Sequence, residues 1–247
     1  MSAMTTYTKS KEFEGATFDR CSFKGAQLRN SDVSGVTMRA VTLDGLDVDD
    51  HDLFFGTLIV NGVDVVPLVD TELNRQFPGR ELQKATTPEG LRDGVTKVCA
   101  AWAETVETTP AELRDTGVDG EWSLAQTLRH LVLATDAWLG KGIRREEQPF
   151  HPIGQQFTGA AEMGFDMSIF REPTGWDEIV AVRAERQQRV VDYLAEVTQD
   201  ELDAPASNPW SDTDEWVPTA GDCIRVILEE EWAHLRYIRR DLATLHA

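Results

Sequence analysis

Every fifth residue from Phe13 onward is apolar: Phe13, Phe18, Phe23, Leu28, Val33, Met38, Leu43, Val48, Leu53, Leu58, Val63 and Leu68. Polar residues fill most of the gaps. A period of five suits neither a helix nor a strand, whose side chains repeat every 3.6 and every two residues. The stretch therefore belongs to a repeat architecture of its own. The position two before each large residue is small at first, with Ala16, Cys21, Ala26 and Ser31. It then grows through Val36, Val41 and Leu46 before reaching His51 and Gly56.

The segment "FEGATFDRCSFKGAQLRNSD" resembles the pentapeptide-repeat family. The resemblance implies a square, right-handed β-helix in which each repeat forms one side. The large and the small residue both point inward, and four repeats close one coil. It extends over about residues 13 to 68, slightly under three coils. So short a stack buries little, and repeat arrays need neighbours or caps. One end is expected to lean on the rest of the chain. Some acidic members of that family imitate DNA. Here residues 1 to 70 carry 6 basic and 11 acidic side chains, against 18 and 32 in the other 177. The acidity is not concentrated in the repeat, which disfavours the mimic.

A net charge of −19 leaves nothing to neutralise phosphates, so nucleic acid is not an expected partner. Cys21, Cys99 and Cys223 are odd in number and far apart, forming neither a disulfide framework nor a metal knuckle. That usage points to a reducing compartment, and the chain is expected to be cytoplasmic. The start "MSAMTTYTKSKEF" lacks an apolar leader core, and no run of 18 apolar residues occurs, so no membrane association is expected.

From Asp70 onward helical periods take over. "TELNRQFPGREL" reads as a short helix and turn, stopped at Pro78-Gly79. "TPEGLRDGVTKVCAAWAETVETT" begins with a capping threonine and a proline, and sets Leu91, Val95, Val98, Trp102 and Val106 on one face. "EWSLAQTLRHLVLATDAWLG" opens with the capping-box pair Ser123 and Gln126, and Gly140 reads as its stop. Residues 142 to 173 form a long aperiodic loop rich in Gly, Pro and Phe, and loops of that length are often functional. "TGWDEIVAVRAERQQRVVDYLAEVT" and "VPTAGDCIRVILEEEWAHLRYIRRDLATL" complete a set of four helices, which predicts an up-down four-helix bundle. The fold class expected is thus α+β in two parts: a β-helix over residues 1–69 and a bundle over residues 70–247.

On the last helix Ile224, Leu228, Glu231, Leu235, Ile238, Leu242 and Leu245 form the bundle seam. At 100° per residue, His234 lies about 60° to one side of Glu231, and Glu230 lies about 40° beyond His234. Glu229 is expected in solvent. Glu230 and His234 stack one turn apart. His130 sits in the middle of the second long helix among the small or modest Thr127, Ala134 and Ala137. Two helices that each present a histidine to the bundle interior, with a carboxylate one turn away, could hold zinc, nickel, iron or manganese. Glu231 is the alternative ligand to Glu230, since an acid on the seam needs a partner.

"WSLAQTLRHLV", followed about a hundred residues later by "EEEWAHLRYIRRDL", resembles the DinB/YfiT-like superfamily. Relatives there include the mycothiol-dependent maleylpyruvate isomerases and the bacillithiol- or mycothiol-dependent transferases. The resemblance implies a DinB-type four-helix bundle over about residues 70 to 245. It also implies a divalent metal on His130, Glu230 and His234, the glutamate form of the motif. A low-molecular-weight thiol, mycothiol or bacillithiol, would be cosubstrate with a small electrophile in S-transfer, isomerisation or hydrolysis. Arg129, Arg183, Arg236 and Tyr237 are weak candidates for contacting a carboxylate-bearing cofactor, and His151 for reaching the pocket mouth. No residue is assigned as catalytic. The competing expectation is a non-catalytic scaffold, in which the repeat is the protein-binding surface and any metal is structural. A homodimer is compatible with either.

Overall fold

The computed structural model describes residues 5–50, 53–163, 165–211 and 216–246. The repeat-slot residue His51 lies outside them. Contacts divide the chain into two units, Met1–Asp49 and Asp50–Ala247.

In the first unit the five-residue period is written into the backbone. Positive φ recurs at Gly15, Arg20, Gly25, Asn30, Gly35, Ala40 and Gly45. Alternate repeats close as turns in which the amide of the fourth residue donates to the carbonyl of the first, as Ala16 does to Phe13 at 3.0 Å and Leu46 to Leu43 at 3.0 Å. Glycine sits at the third position of each of these turns, where a left-handed residue is required. The glycines thus mark a ten-residue beat beneath the five-residue one. No right-handed β-helix is seen in this unit: no strand occurs among its described residues, and the large residues from Phe13 to Val48 are all exposed. Under three coils provide almost no coil-on-coil area, and stacking is what would bury those centres.

The repeat was also expected to run on to Leu68 and its domain to residue 69, but the chain changes character earlier. β1 (Ile59–Val60) and β2 (Val63–Asp64) pair antiparallel, Ile59 with Asp64 and Val60 with Val63. Asn61 and Gly62 between them both take positive φ, as a two-residue hairpin turn demands. α1 (Val66–Gln76) follows at once, with Pro67 in its first turn. Asp70 on α1 then accepts from Arg80 and Lys84, each at 2.8 Å, tying the helix to the 3-10 turn Arg80–Lys84. Gly79 makes that turn possible: it has φ +100°, and a Cβ there would lie 2.8 Å from Lys97 Cβ.

The bundle itself is built from α2 (Pro88–Thr108), α3 (Leu124–Thr135), α4 (Trp176–Glu196) and α6 (Ala220–Leu245), with the one-turn α5 (Gln199–Leu202) before the last. The capping threonine of α2 accepts from Gly90 N, and the Ser123–Gln126 capping box of α3 forms as read. α2 packs on α4 and α6, and α3 packs on α4 and α6. Helices consecutive in sequence, α2 and α3, therefore lie across the bundle from each other. The expected up-down meander is corrected accordingly, because it would make them neighbours. The connection over residues 109–123 is long enough to cross an end of the bundle. Leu91, Val98, Trp102, Leu128, Leu131, Leu194, Ile224, Leu228 and Leu235 fill the core.

Gly140 is not a stop either. α3 continues as π-helix over Asp136–Ile143. A Cβ on Gly140 would lie 2.6 Å from Pro149 Cβ, so the glycine admits the returning loop. At the junction Asp136 is fully buried and accepts from Arg186 Nε at 2.6 Å and from the His151 amide at 2.8 Å. No described helix is long and apolar enough to cross a membrane.

Candidate metal centre

Three side chains from two helices converge: His130 of α3, and Glu230 and His234 of α6. One ligand atom from each lies within 4.8 Å of the others. Glu230 Oε2 is 3.4 Å from His130 Nε2 and 3.1 Å from His234 Nε2. The α6 pair meets because four residues make one helical turn. His130 is brought in by the packing of α3 on α6. Among the described residues no other cluster of His, Cys, Asp or Glu has this geometry.

The long loop orients His130. Its Nδ1 is 3.3 Å from the Gln155 carbonyl, and the Gln155 amide donates to the Arg129 carbonyl at 3.1 Å. A proton on Nδ1 donated to Gln155 would leave the Nε2 lone pair to a metal ion, whereas without an ion Nε2 donates to Glu230. A carbonyl behind a histidine in this way fixes the tautomer that a metal needs. Arg129 secures the same loop by donating from Nε to the Ile153 carbonyl at 2.8 Å and from its terminal nitrogens to Glu172.

Above the two imidazoles lies Trp122. Its ring centroid is 4.6 Å from that of His130 and 5.9 Å from that of His234, the latter nearly parallel. Tyr237 meets His234 edge-on at 5.6 Å, and Arg236 covers Tyr237 at 4.5 Å. The site is walled by aromatic surface but not sealed, since about a third of the Glu230 side chain is exposed.

The electrostatics ask for a cation. Burial raises the Glu230 carboxyl, but hydrogen bonds and charge from His130 and His234 outweigh it and hold the group well below the usual carboxylate range. Two ring nitrogens and a carboxylate oxygen at these distances repel one another unless a proton or a metal ion lies between them. The donor set, two imidazoles and one carboxylate, suits zinc and its first-row neighbours.

The adjacent acid has a different fate. Glu231 is buried and pairs with Arg183 of α4, not with the histidines. Burial raises the Glu231 carboxyl, with Arg183 acting against that rise. Arg183 is thereby committed to the core, and Glu229 is half-buried where solvent was expected. His151 is occupied in the loop: its amide donates to Asp136 and its Nδ1 accepts from the Ile153 amide at 3.3 Å. Burial, chiefly, pushes its ring pKa down. The structure brings Tyr237 and Arg236 beside the triad, and places Arg129 behind it as a loop anchor.

Two contributors were missed in the sequence. Trp122 stands immediately before a helix cap, where an apolar residue reads as a hydrophobic staple. Gln155 acts through its backbone, which no residue type reveals. Residues 95–238 match the family model of the DinB superfamily, a span that includes all three converging side chains. No curated protein and no solved structure matches the chain.

Proposed function

The chain belongs to the DinB superfamily, and from that premise we propose that His130, Glu230 and His234 hold one divalent metal ion for chemistry with a low-molecular-weight thiol. The observation that carries the reading is the convergence of three lone-pair atoms within 4.8 Å, with an ionised carboxylate between two imidazoles. A bound ion would supply Lewis acidity and lower the pKa of a thiol or water, making a nucleophile near neutral pH.

This chain's own residues have separate tasks in that reading. Glu230 contributes the negative charge, and the two histidines the neutral donors. Gln155 keeps the His130 proton on Nδ1. Trp122 and Tyr237 flank the histidines and exclude water from one side. The protein's own thiols are poor nucleophiles inside the bundle: burial pushes both Cys99 and Cys223 up to about 12. The resemblance to thiol-dependent relatives makes a diffusible thiol, mycothiol or bacillithiol, the proposed reactant, with a small electrophile as its partner. The reaction class is S-transfer, isomerisation or hydrolysis, carried out in a reducing cytoplasm away from nucleic acid and membranes. The metal is zinc, nickel, iron or manganese.

Elemental analysis of the purified protein tests the site. One ion per chain is expected, and its loss in His130→Ala; a metal-free protein would overturn the reading. Turnover of chlorodinitrobenzene with added thiol then separates a catalytic metal from a structural one. The exposed apolar residues of the first unit favour a second, compatible reading, in which that unit serves as an interaction surface.

A further inference from the structure

Asp136 is a buried acid that the metal reading leaves without a task. It stands at the start of the π-helix Asp136–Ile143, and Arg186 Nε lies 2.6 Å from one of its oxygens. Arg186 is itself buried and supplies the countercharge that a carboxylate there requires. The other oxygen accepts from the His151 amide at 2.8 Å. Hydrogen bonds to a carboxylate are shorter and stronger than those to a neutral acceptor.

From that amide the chain runs back along α3. Four residues later Gln155 reaches the level of the metal ligand. Its amide donates to the Arg129 carbonyl at 3.1 Å, and its carbonyl lies 3.3 Å from His130 Nδ1. Between these ends the segment is held throughout. Ile153 is buried, its amide donates to His151 Nδ1 at 3.3 Å, and its carbonyl accepts from Arg129 Nε at 2.8 Å. The Pro152 carbonyl accepts from the Arg171 amide at 2.8 Å. A Cβ on Gly154 would lie 3.3 Å from Leu133 Cβ and 3.2 Å from the His151 carbonyl oxygen, so the glycine lets the segment lie against α3. His130 and Asp136 are six residues apart, about 9 Å along the helix and about 240° around it. What joins them is the strap of residues 151–155.

We infer that Asp136 is a positioning residue of the metal centre: it pins one end of this strap so that the Gln155 carbonyl, at the other end, holds the His130 ring. The inference rests on the metal reading above. Released from Asp136, the strap keeps only its Arg129 anchors, and the Gln155 carbonyl can turn away from His130. Loss of the acceptor behind a metal-binding histidine typically weakens binding by about ten- to a hundredfold.

Zinc competition with a chelator, and the imidazole N–H signals of the zinc-loaded full chain by nuclear magnetic resonance, read the outcome. Asp136→Ala with Arg186→Met removes the pin together with its countercharge. Gly154→Val moves the strap off α3 and leaves that ion pair in place. Each should weaken zinc binding by about ten- to a hundredfold. Each should also lose to water exchange the His130 Nδ1 proton, which is expected to be protected in wild type. Asp136→Asn keeps an oxygen for the His151 amide and should recover most of the affinity. A role confined to stability would lower the thermal midpoint of both variants and leave zinc affinity and the Nδ1 proton as in wild type. That result would overturn the inference, and so would an Asp136→Asn protein no better than the double variant. A wild-type chain that binds no zinc would overturn the metal reading and this inference together. Zinc-binding wild type matched by its variants overturns this inference alone.

Discussion

Glu230 and Glu231 are neighbours on one helix, yet they occupy opposite environments. Glu230 stands at a partly open rim between two imidazoles and stays ionised. Glu231, one residue and about 100° around the helix, is buried against Arg183, and burial raises its carboxyl. Trp102 acts on the same carboxylate, opposing the rise that burial imposes. One carboxylate is placed for a ligand and the other for the fold. Residue type does not distinguish them; rotation about the helix axis does.

The largest expected effect falls on the buried side. Arg183→Met strands Glu231 in the core and should cost about 3–5 kcal/mol, a thermal midpoint lower by roughly 10 °C in a chain of this size. Arg183→Met combined with Glu231→Leu should recover most of that loss, since an apolar pair replaces the charges. Calorimetry of the two variants checks both. On the rim side Glu230→Gln should do the reverse, lowering metal affinity by about a hundredfold with little change in the midpoint of metal-free protein.

Smaller effects sharpen the contrast. Trp122→Ala should weaken metal binding by about tenfold while Trp122→Phe retains it, as the aromatic wall predicts. A disulfide reagent at pH 8 should label Cys21 quickly, because Cys99 and Cys223 are pushed up to about 12. Glu231→Gln should then speed Cys99 but not Cys223, since the Glu231 charge raises only the former. The smallest effect concerns an ion pair outside both sites. Glu178 is held at about 2, chiefly by Arg171 and the Thr174 amide. A carboxyl depressed on folding stabilises above its ordinary pKa and loses that contribution as pH falls through the folded value. The midpoint difference between wild type and Glu178→Gln should be constant above pH 5 and vanish towards pH 2.

Much of the bundle was legible in the sequence because its signals are local. Thr87 with Pro88 and Ser123 with Gln126 mark helix starts through hydrogen bonds made within four residues. Glu230 and His234 share a flank through helical geometry alone. The hairpin at Asn61-Gly62 was equally legible, but the apolar period running through it obscured a turn signal that is stronger at that point. Gly140 misled for a different reason: its role is to admit Pro149, and that neighbour arrives through the loop.

The sequence alone determined where α2 and α3 begin, which face of each is apolar, and that an apolar residue recurs at every fifth position from Phe13. All of these depend on bonds or rotations spanning a few residues. Tertiary structure decided the rest. It laid α2 and α3 across the bundle from each other, carried His130 to an acid a hundred residues away, gave Arg183 to Glu231 and a backbone carbonyl to His130. It also left the large residues from Phe13 to Val48 exposed.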